Sequence, residues 1–197
     1  VGGEVIRGTI MRKGTQTPRR KERGAVLIFC LVLLLVLTMM GVASMESAVL
    51  EERMAGNMQD FNAAFQAAES SLQTGAAWLV GETTWPATST DGTTTVWTRD
   101  AMDPNAGDSV HWWQDSARDS RTWWNNNGIE VSALEGVATP PHYVIEEVST
   151  VTSGQSIGIG SGLQSRVRVF HRVTARGSGV GDAAVVQLQS TFVKAYE

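Results

Sequence analysis

Residues 24–45 read GAVLIFCLVLLLVLTMMGVASM, twenty-two positions without a charged side chain. An α-helix of that length rises roughly 33 Å at about 1.5 Å per residue, enough to cross a bilayer hydrocarbon core of about 30 Å. The stretch therefore reads as a membrane anchor. On its N-terminal side stand Arg7, Arg12, Lys13, Arg19, Arg20, Lys21 and Arg23 against Glu4 and Glu22, a local charge of +5. Cations that flank a span stay in the cytoplasm, so the residues after the span are expected on the far, periplasmic side. A secretory signal would instead show a shorter apolar core followed by a small-residue cleavage site. Gly41, Ala43 and Ser44 imitate such a site, but the residues beyond them continue as helix. Cys30 is the single cysteine and lies inside the apolar run, which leaves no intramolecular disulfide and no thiolate metal site. There the thiol reads as a small apolar side chain.

Beyond Glu46 the helical signal persists with a different character. Leu50, Met54, Met58, Phe61, Phe65, Ala68, Leu72, Ala76 and Leu79 recur at spacings of three and four, which is one face of an amphipathic helix. Leu50, Met54, Met58, Phe61, Phe65 and Leu72 are the residues expected to dock a globular head. No proline interrupts residues 25–79, and Gly41, Gly56 and Gly75 are the weak points, each costing about 1 kcal/mol relative to Ala. The simplest reading is one continuous helix, on the order of 80 Å long. It is apolar all round over residues 25–45 and amphipathic over 46–79.

The rest of the 197 residues is ordinary and polar, although the whole chain is 42% hydrophobic and 18% charged. The net charge of −4 combines the +5 of residues 1–24 with −9 for residues 25–197. A body that acidic is a poor partner for nucleic acid, whose phosphates are held by clustered Lys and Arg. Trp85-Pro86 reads as a helix stop. Residues 80–135 read as an irregular, Trp-rich part with loops, short helices and a strand around 93–98. Residues 143–150, 165–175 and 184–196 read as strands. In the second of these Val167, Val169, His171 and Val173 alternate with Arg166, Arg168, Phe170 and Arg172, the pattern of a half-buried strand with a cationic outer face. Val186, Leu188, Ser190 and Phe192 alternate in the same way with Gln187, Gln189 and Thr191. Gly/Ser-rich connections at 152–162 and 177–182 read as turns. The fold class is α+β: a long N-terminal helix packed by its stripe on a small C-terminal antiparallel sheet over residues 143–196.

Four features invite a chemical reading. Gly154-Gln155-Ser156-Ile157-Gly158 fits the G-x-S-x-G nucleophile pattern, but the Gly-rich residues after it cannot supply the helix that the elbow requires. His111, His142 and His171 are widely spaced and lack metal-ligand spacing. Asp103-Pro104-Asn105-Ala106-Gly107-Asp108 imitates a calcium loop with Gly107 at a ligand position and Gln114 where the bidentate Glu belongs. These residues therefore predict no catalytic site, no metal and no cofactor. The fourth feature is the Trp112-Trp113 and Trp123-Trp124 pairs. The plainest reading is that these tryptophans fill a thin head core; because adjacent indoles point in different directions, the sharper reading makes one indole of each pair an exposed partner contact. Sugar stacking on an exposed indole is the alternative.

A basic leader ending in Gly24, an apolar half-helix, an amphipathic half-helix and a small head resemble the type IV pilin family. Lys21-Glu22-Arg23-Gly24-Ala25 looks like a prepilin peptidase site. The resemblance implies cleavage between Gly24 and Ala25 and N-methylation of Ala25. Met11 is an alternative start, with Val1 to Ile10 then upstream sequence. Leu50-Glu51-Glu52-Arg53-Met54-Ala55-Gly56-Asn57 and Ala64-Phe65-Gln66-Ala67-Ala68-Glu69 narrow the resemblance to PilX-type minor pilins. Pro141-His142-Tyr143-Val144-Ile145-Glu146-Glu147 and Val173-Thr174-Ala175-Arg176-Gly177 are similar to the same family. The resemblance implies an inner-membrane protein with a periplasmic head that primes type IV pilus assembly and enters the pilus tip. Its implied partners are other minor pilins, the major pilin, a large tip adhesin and the prepilin peptidase, with roles in twitching motility and adhesion. Phe29, Leu33, Leu34 and Leu37 would then meet lipid first and other pilin helices later. Major pilins usually carry Glu as the fifth mature residue, where this chain has Phe29. A phenyl ring cannot balance a charge, which points away from a bulk filament subunit. A tip pseudopilin of type II secretion and a singly anchored periplasmic binding domain are the alternatives.

Overall fold

A computed structural model describes residues 23–105, 107–132, 134–152 and 167–196. Most of the basic leader, the Gly154 to Gly158 motif and most of the expected turn at 152–162 lie outside the described residues. The chain divides into two compact units, Val1–Glu51 and Glu52–Glu197, with the boundary inside one long helix. That helix, α1, runs Arg23–Gly81. It continues two residues past Leu79, where the sequence periodicity stops.

In the first unit, residues 24–50 of α1 are exposed throughout. Among the described residues α1 is the helix long and apolar enough to cross a membrane. The Thr38 hydroxyl, in the middle of the apolar run, donates to the Leu35 carbonyl at 2.7 Å. A polar group without water must bond within its own helix in this way.

The second unit contains the rest of α1 and a six-stranded sheet ordered β1-β2-β4-β5-β6, with β3 also paired to β4. The strands are β1 (Thr88–Ser89), β2 (Val96–Trp97), β3 (Ile129–Glu130), β4 (His142–Thr152), β5 (Val167–Ser178) and β6 (Val185–Tyr196). The three long strands are antiparallel, as their alternation predicts. The sheet as a whole is mixed and not purely antiparallel, because β1 pairs β2 and β2 pairs β4 in parallel. Two-residue strands carry no readable period, which is why the sequence shows three or four strands where the structure has six.

Each face of the sheet carries a core. Tyr143 and Ile145 of β4, with Val96, Val173, Ala175 and Leu79, form the core on the α1 side. Val144 of β4 joins Trp97, Met102, Trp112 and Trp124 in a second core on the other side. Val96 and Trp97 are neighbours that feed opposite cores, which is the period-two geometry of a strand. A register shift between Glu147 and Ser149 marks a β-bulge in β4. Beyond it residues 149–152 are exposed.

Candidate functional site

Small residues make the contact between α1 and the sheet. Ala64, Ala67, Ala68, Ser71 and Leu79 are buried. A Cβ at Gly177 would collide with backbone atoms of Ala64, Ala67 and Ala68, and one at Gly75 would come within 2.8 Å of Tyr143 Cδ2 and Val173 Cγ1. Helix and strand backbones thus approach more closely than large side chains allow. The large residues expected in this contact are elsewhere: Met54 and Met58 are each 64% exposed, Phe61 51% and Phe65 41%. Leu50, in the first unit, is exposed too. Of the expected docking residues only Leu72 packs on the core. The stripe has the right helical period, but its big side chains flank the contact, and the alanines between them make it.

Polar ties fix this contact at both ends. Asp60 accepts a hydrogen bond from Gly181 N at 2.9 Å, holding α1 to the β5–β6 turn. At the other end Lys194 of β6 donates to the carbonyls of Leu79 (2.7 Å), Val80 (2.8 Å) and Glu82. An ammonium there satisfies carbonyls that lack helical partners and meets the negative end of the helix dipole. Trp85 Nε1 donates to Glu147 Oε2 at 2.9 Å, tying the chain after α1 to β4. The sequence signal for Lys194 is the lone cation on the inward phase of Phe192, Lys194 and Tyr196.

The other face of the sheet carries the tryptophans. A short 3₁₀ helix, Trp112–Gln114, presents the first pair. The second pair lies in α2 (Arg121–Asn127), whose N-cap Ser120 accepts from Trp123 N and whose C-cap Gly128 N–H bonds the Trp124 carbonyl. Trp112 and Trp124 are buried; Trp113 and Trp123 are half-buried. The four rings touch in series, with Trp112 and Trp123 centroids 5.6 Å apart and Trp123 and Trp124 5.4 Å apart. Each half-buried indole is covered by a cation: Arg172 lies 4.4 Å from the Trp113 ring and Arg118 5.3 Å from that of Trp123. His111 stacks on Trp113 at 4.4 Å.

Beneath this layer is Glu146, a buried carboxylate that the sequence reading passes over. Oε1 accepts from Asp100 N at 2.8 Å, and Oε2 accepts from Trp112 Nε1 at 3.2 Å and Arg172 Nη1 at 3.4 Å. Asp100 has φ of 58°, a left-handed conformation that its bond to Glu146 holds. A buried acid is stable only when paired and hydrogen-bonded. This one joins β4, β5, the Trp layer and the loop at Asp100 through a single side chain.

The histidines are dispersed. His111 is on the surface, and His142 Nδ1 lies 2.9 Å from the Pro140 carbonyl. His171 is fully buried on β5, with no hydrogen-bond partner for either ring nitrogen among the described residues. Burial pushes the His171 imidazole below its ordinary value; Glu147 opposes that shift and Lys194 adds to it. Burial likewise lowers His142, against the Pro140 carbonyl and Glu130. Among the described residues no cluster of three or more His, Cys, Asp or Glu could hold a metal ion. Of the residues singled out in the sequence, the structure brings together the four tryptophans. Gly24, Ala25, Phe29, Leu33, Leu34 and Leu37 lie along α1 in the first unit, all exposed.

The arrangement is built to hold a head on a helix, from two cores, a helix cap and a buried polar hub. Comparison with known proteins agrees with that architecture. The family model PilX N-terminal matches residues 23–73, and the model Type IV pilus assembly protein PilX C-term matches residues 81–194. Searches of curated proteins and of solved structures gave no match. With the two models matched in order over apolar helix and head, the chain belongs to the PilX family, the minor pilins of type IV pili.

Proposed function

We propose that the protein is matured by the prepilin peptidase and then acts without catalysis, as a scaffold that primes pilus assembly and stays in the tip complex. The observation that carries this reading is the joining of both PilX family segments on one chain, the first beginning at Arg23 beside the Gly24-Ala25 junction. Before assembly, α1 anchors the subunit in the inner membrane with the head in the periplasm. On assembly the apolar half of α1 exchanges lipid for neighbouring pilin helices of similar apolarity, so close packing drives the step more than any gain in hydrophobic burial. Phe29, in place of the usual Glu, suits a subunit that need not neutralise the amine of another subunit. The partners are other minor pilins, the major pilin and a large tip adhesin, and through them the protein serves twitching motility and adhesion. Half-buried Trp113 and Trp123, with their covering arginines, are the contacts proposed for those partners.

Deleting the gene and counting surface pili tests this reading, together with detection of the tagged chain in sheared filaments. Few or no pili in the deletion, and the chain in the sheared fraction, are expected. Normal pili with the chain confined to membranes would contradict it, and co-purification with secretion components would move it to a type II secretion machine.

A further inference from the structure

His171 sits between the two ties that hold the end of α1 to the sheet. The ring is fully buried, and neither of its nitrogens has a partner among the described residues. Directly opposite it stand Glu147 on β4 and Phe192 on β6. Cross-strand partners share a face, with Cβ atoms about 4.5–5.5 Å apart, so the Glu147 side chain starts from the same side of the sheet as the imidazole. Lys194 and Tyr196 follow Phe192 at every second residue of β6, on that face too. The Tyr196 ring is edge-on to His171 at 6.2 Å, and its hydroxyl is buried without a partner among the described residues. Burial, then Glu82 and Glu147, push that hydroxyl above its ordinary value. Residues 70–81 of α1 bring no charge. The two charges that face His171 are both in use: Glu147 Oε2 accepts from Trp85 Nε1 at 2.9 Å, and Lys194 donates to the carbonyls of Leu79, Val80 and Glu82.

We propose that His171 is an acid sensor that unlatches residues 79–85 from the sheet when it takes a proton. An imidazolium has two N–H donors, and a buried charge must be paired and hydrogen-bonded. In the geometry that holds Trp85, Glu147 bonds neither ring nitrogen. Pairing the imidazolium therefore takes the carboxylate out of that geometry. The same positive charge faces the Lys194 ammonium, and like charges repel strongly away from water, which drives the ammonium off the carbonyls. One proton thus weakens both ties. The other end of the contact is untouched: Asp60 still accepts from Gly181 N, and Gly177 still lies against Ala64, Ala67 and Ala68. The head stays on the helix while the chain after α1 comes free. Burial holds the imidazole below its ordinary value, with Glu147 opposing the shift and Lys194 adding to it, which keeps the latch closed at neutral pH.

Amide hydrogen exchange on the full chain in detergent micelles, corrected for the pH dependence of free amides, tests the latch. Below about pH 6.5 the released state takes the proton before the latched one, so release is favoured by up to about tenfold per pH unit. Between pH 7.5 and 5 the protection of the Val80, Gly81 and Glu82 amides and of the Trp85 indole N–H is expected to fall at least about tenfold. Low urea leaves this opening unchanged, because it exposes little surface. The fall is expected to persist in His142→Gln and to vanish in His171→Gln. Should His171→Gln fail to fold, wild type and His142→Gln still decide. Exchange at these sites with the same rate and urea dependence as the Val173 and Ala175 amides of β5 overturns the inference, because only global unfolding then exposes them. Protection that does not fall between the two pH values also overturns it, as does a fall abolished by His142→Gln or retained by His171→Gln.

Discussion

Glu146 and His171 are the two buried polar residues whose chemistry is most exposed to experiment. Glu146 accepts hydrogen bonds from Asp100 N, Trp112 Nε1 and Arg172 Nη1. Glu146→Ala strands three donors, two of them in or under the Trp layer, and is expected to cost about 3–5 kcal/mol in urea unfolding followed by tryptophan fluorescence. Glu146→Gln keeps the shape and one acceptor oxygen and should cost less. His171 sets a pH dependence whose sign follows from burial. Its folded-state affinity for a proton is pushed below the ordinary value of 6.5, so below that pH the unfolded chain binds the proton first. The contribution is fully present above about pH 6.5 and is lost as the pH falls toward the lowered folded value. The charged groups facing it are Glu147, which opposes the shift, and Lys194, which adds to it, with Tyr196 edge-on at 6.2 Å. Unfolding midpoints measured between pH 7.5 and 5 should fall, with a shallower slope in His171→Leu. His142, lowered by burial as well, accounts for part of the slope that remains.

At the scale of elements, the closeness of α1 to β5 governs stability. Gly177 lies against the backbone of Ala64, Ala67 and Ala68, so Gly177→Val meets atoms that cannot swing aside. A loss of about 1–3 kcal/mol or more is expected in the same unfolding experiment. Met58→Ala, on the exposed stripe, is expected to stay within about 0.5 kcal/mol of wild type; a large loss there would return the docking contact to the stripe. The contrast also marks what the sequence carries. The alternation of Val169, His171 and Val173 with Arg168 and Arg172 gives the burial of β5 correctly, because a half-buried strand has a strict period. The periodicity of α1 gives a helix but not its docking face: a hydrophobic pattern weights Met and Phe over Ala, while close approach to a sheet selects Ala and Gly. β1 and β2 are too short for any period. The Glu146 hub is hidden because an acid next to Ile145 reads as an outward-facing residue, and only the Trp layer, distant in sequence, buries it.

For the whole molecule, the membrane anchor is plain in an uncharged run of twenty-two residues, and the PilX resemblance in the LEERMAGN and AFQAAE segments is matched by the family models. The head's middle part resisted reading because its order comes from ring-on-ring contacts between distant tryptophans and not from repeating patterns. Whether this pilin is matured for assembly is decided by the mass of the N-terminal peptide in cells with and without active prepilin peptidase. A peptide beginning at N-methylated Ala25 is expected only where the peptidase is active, and a longer, unmethylated chain where it is not. The same unprocessed N-terminus in both strains would contradict maturation.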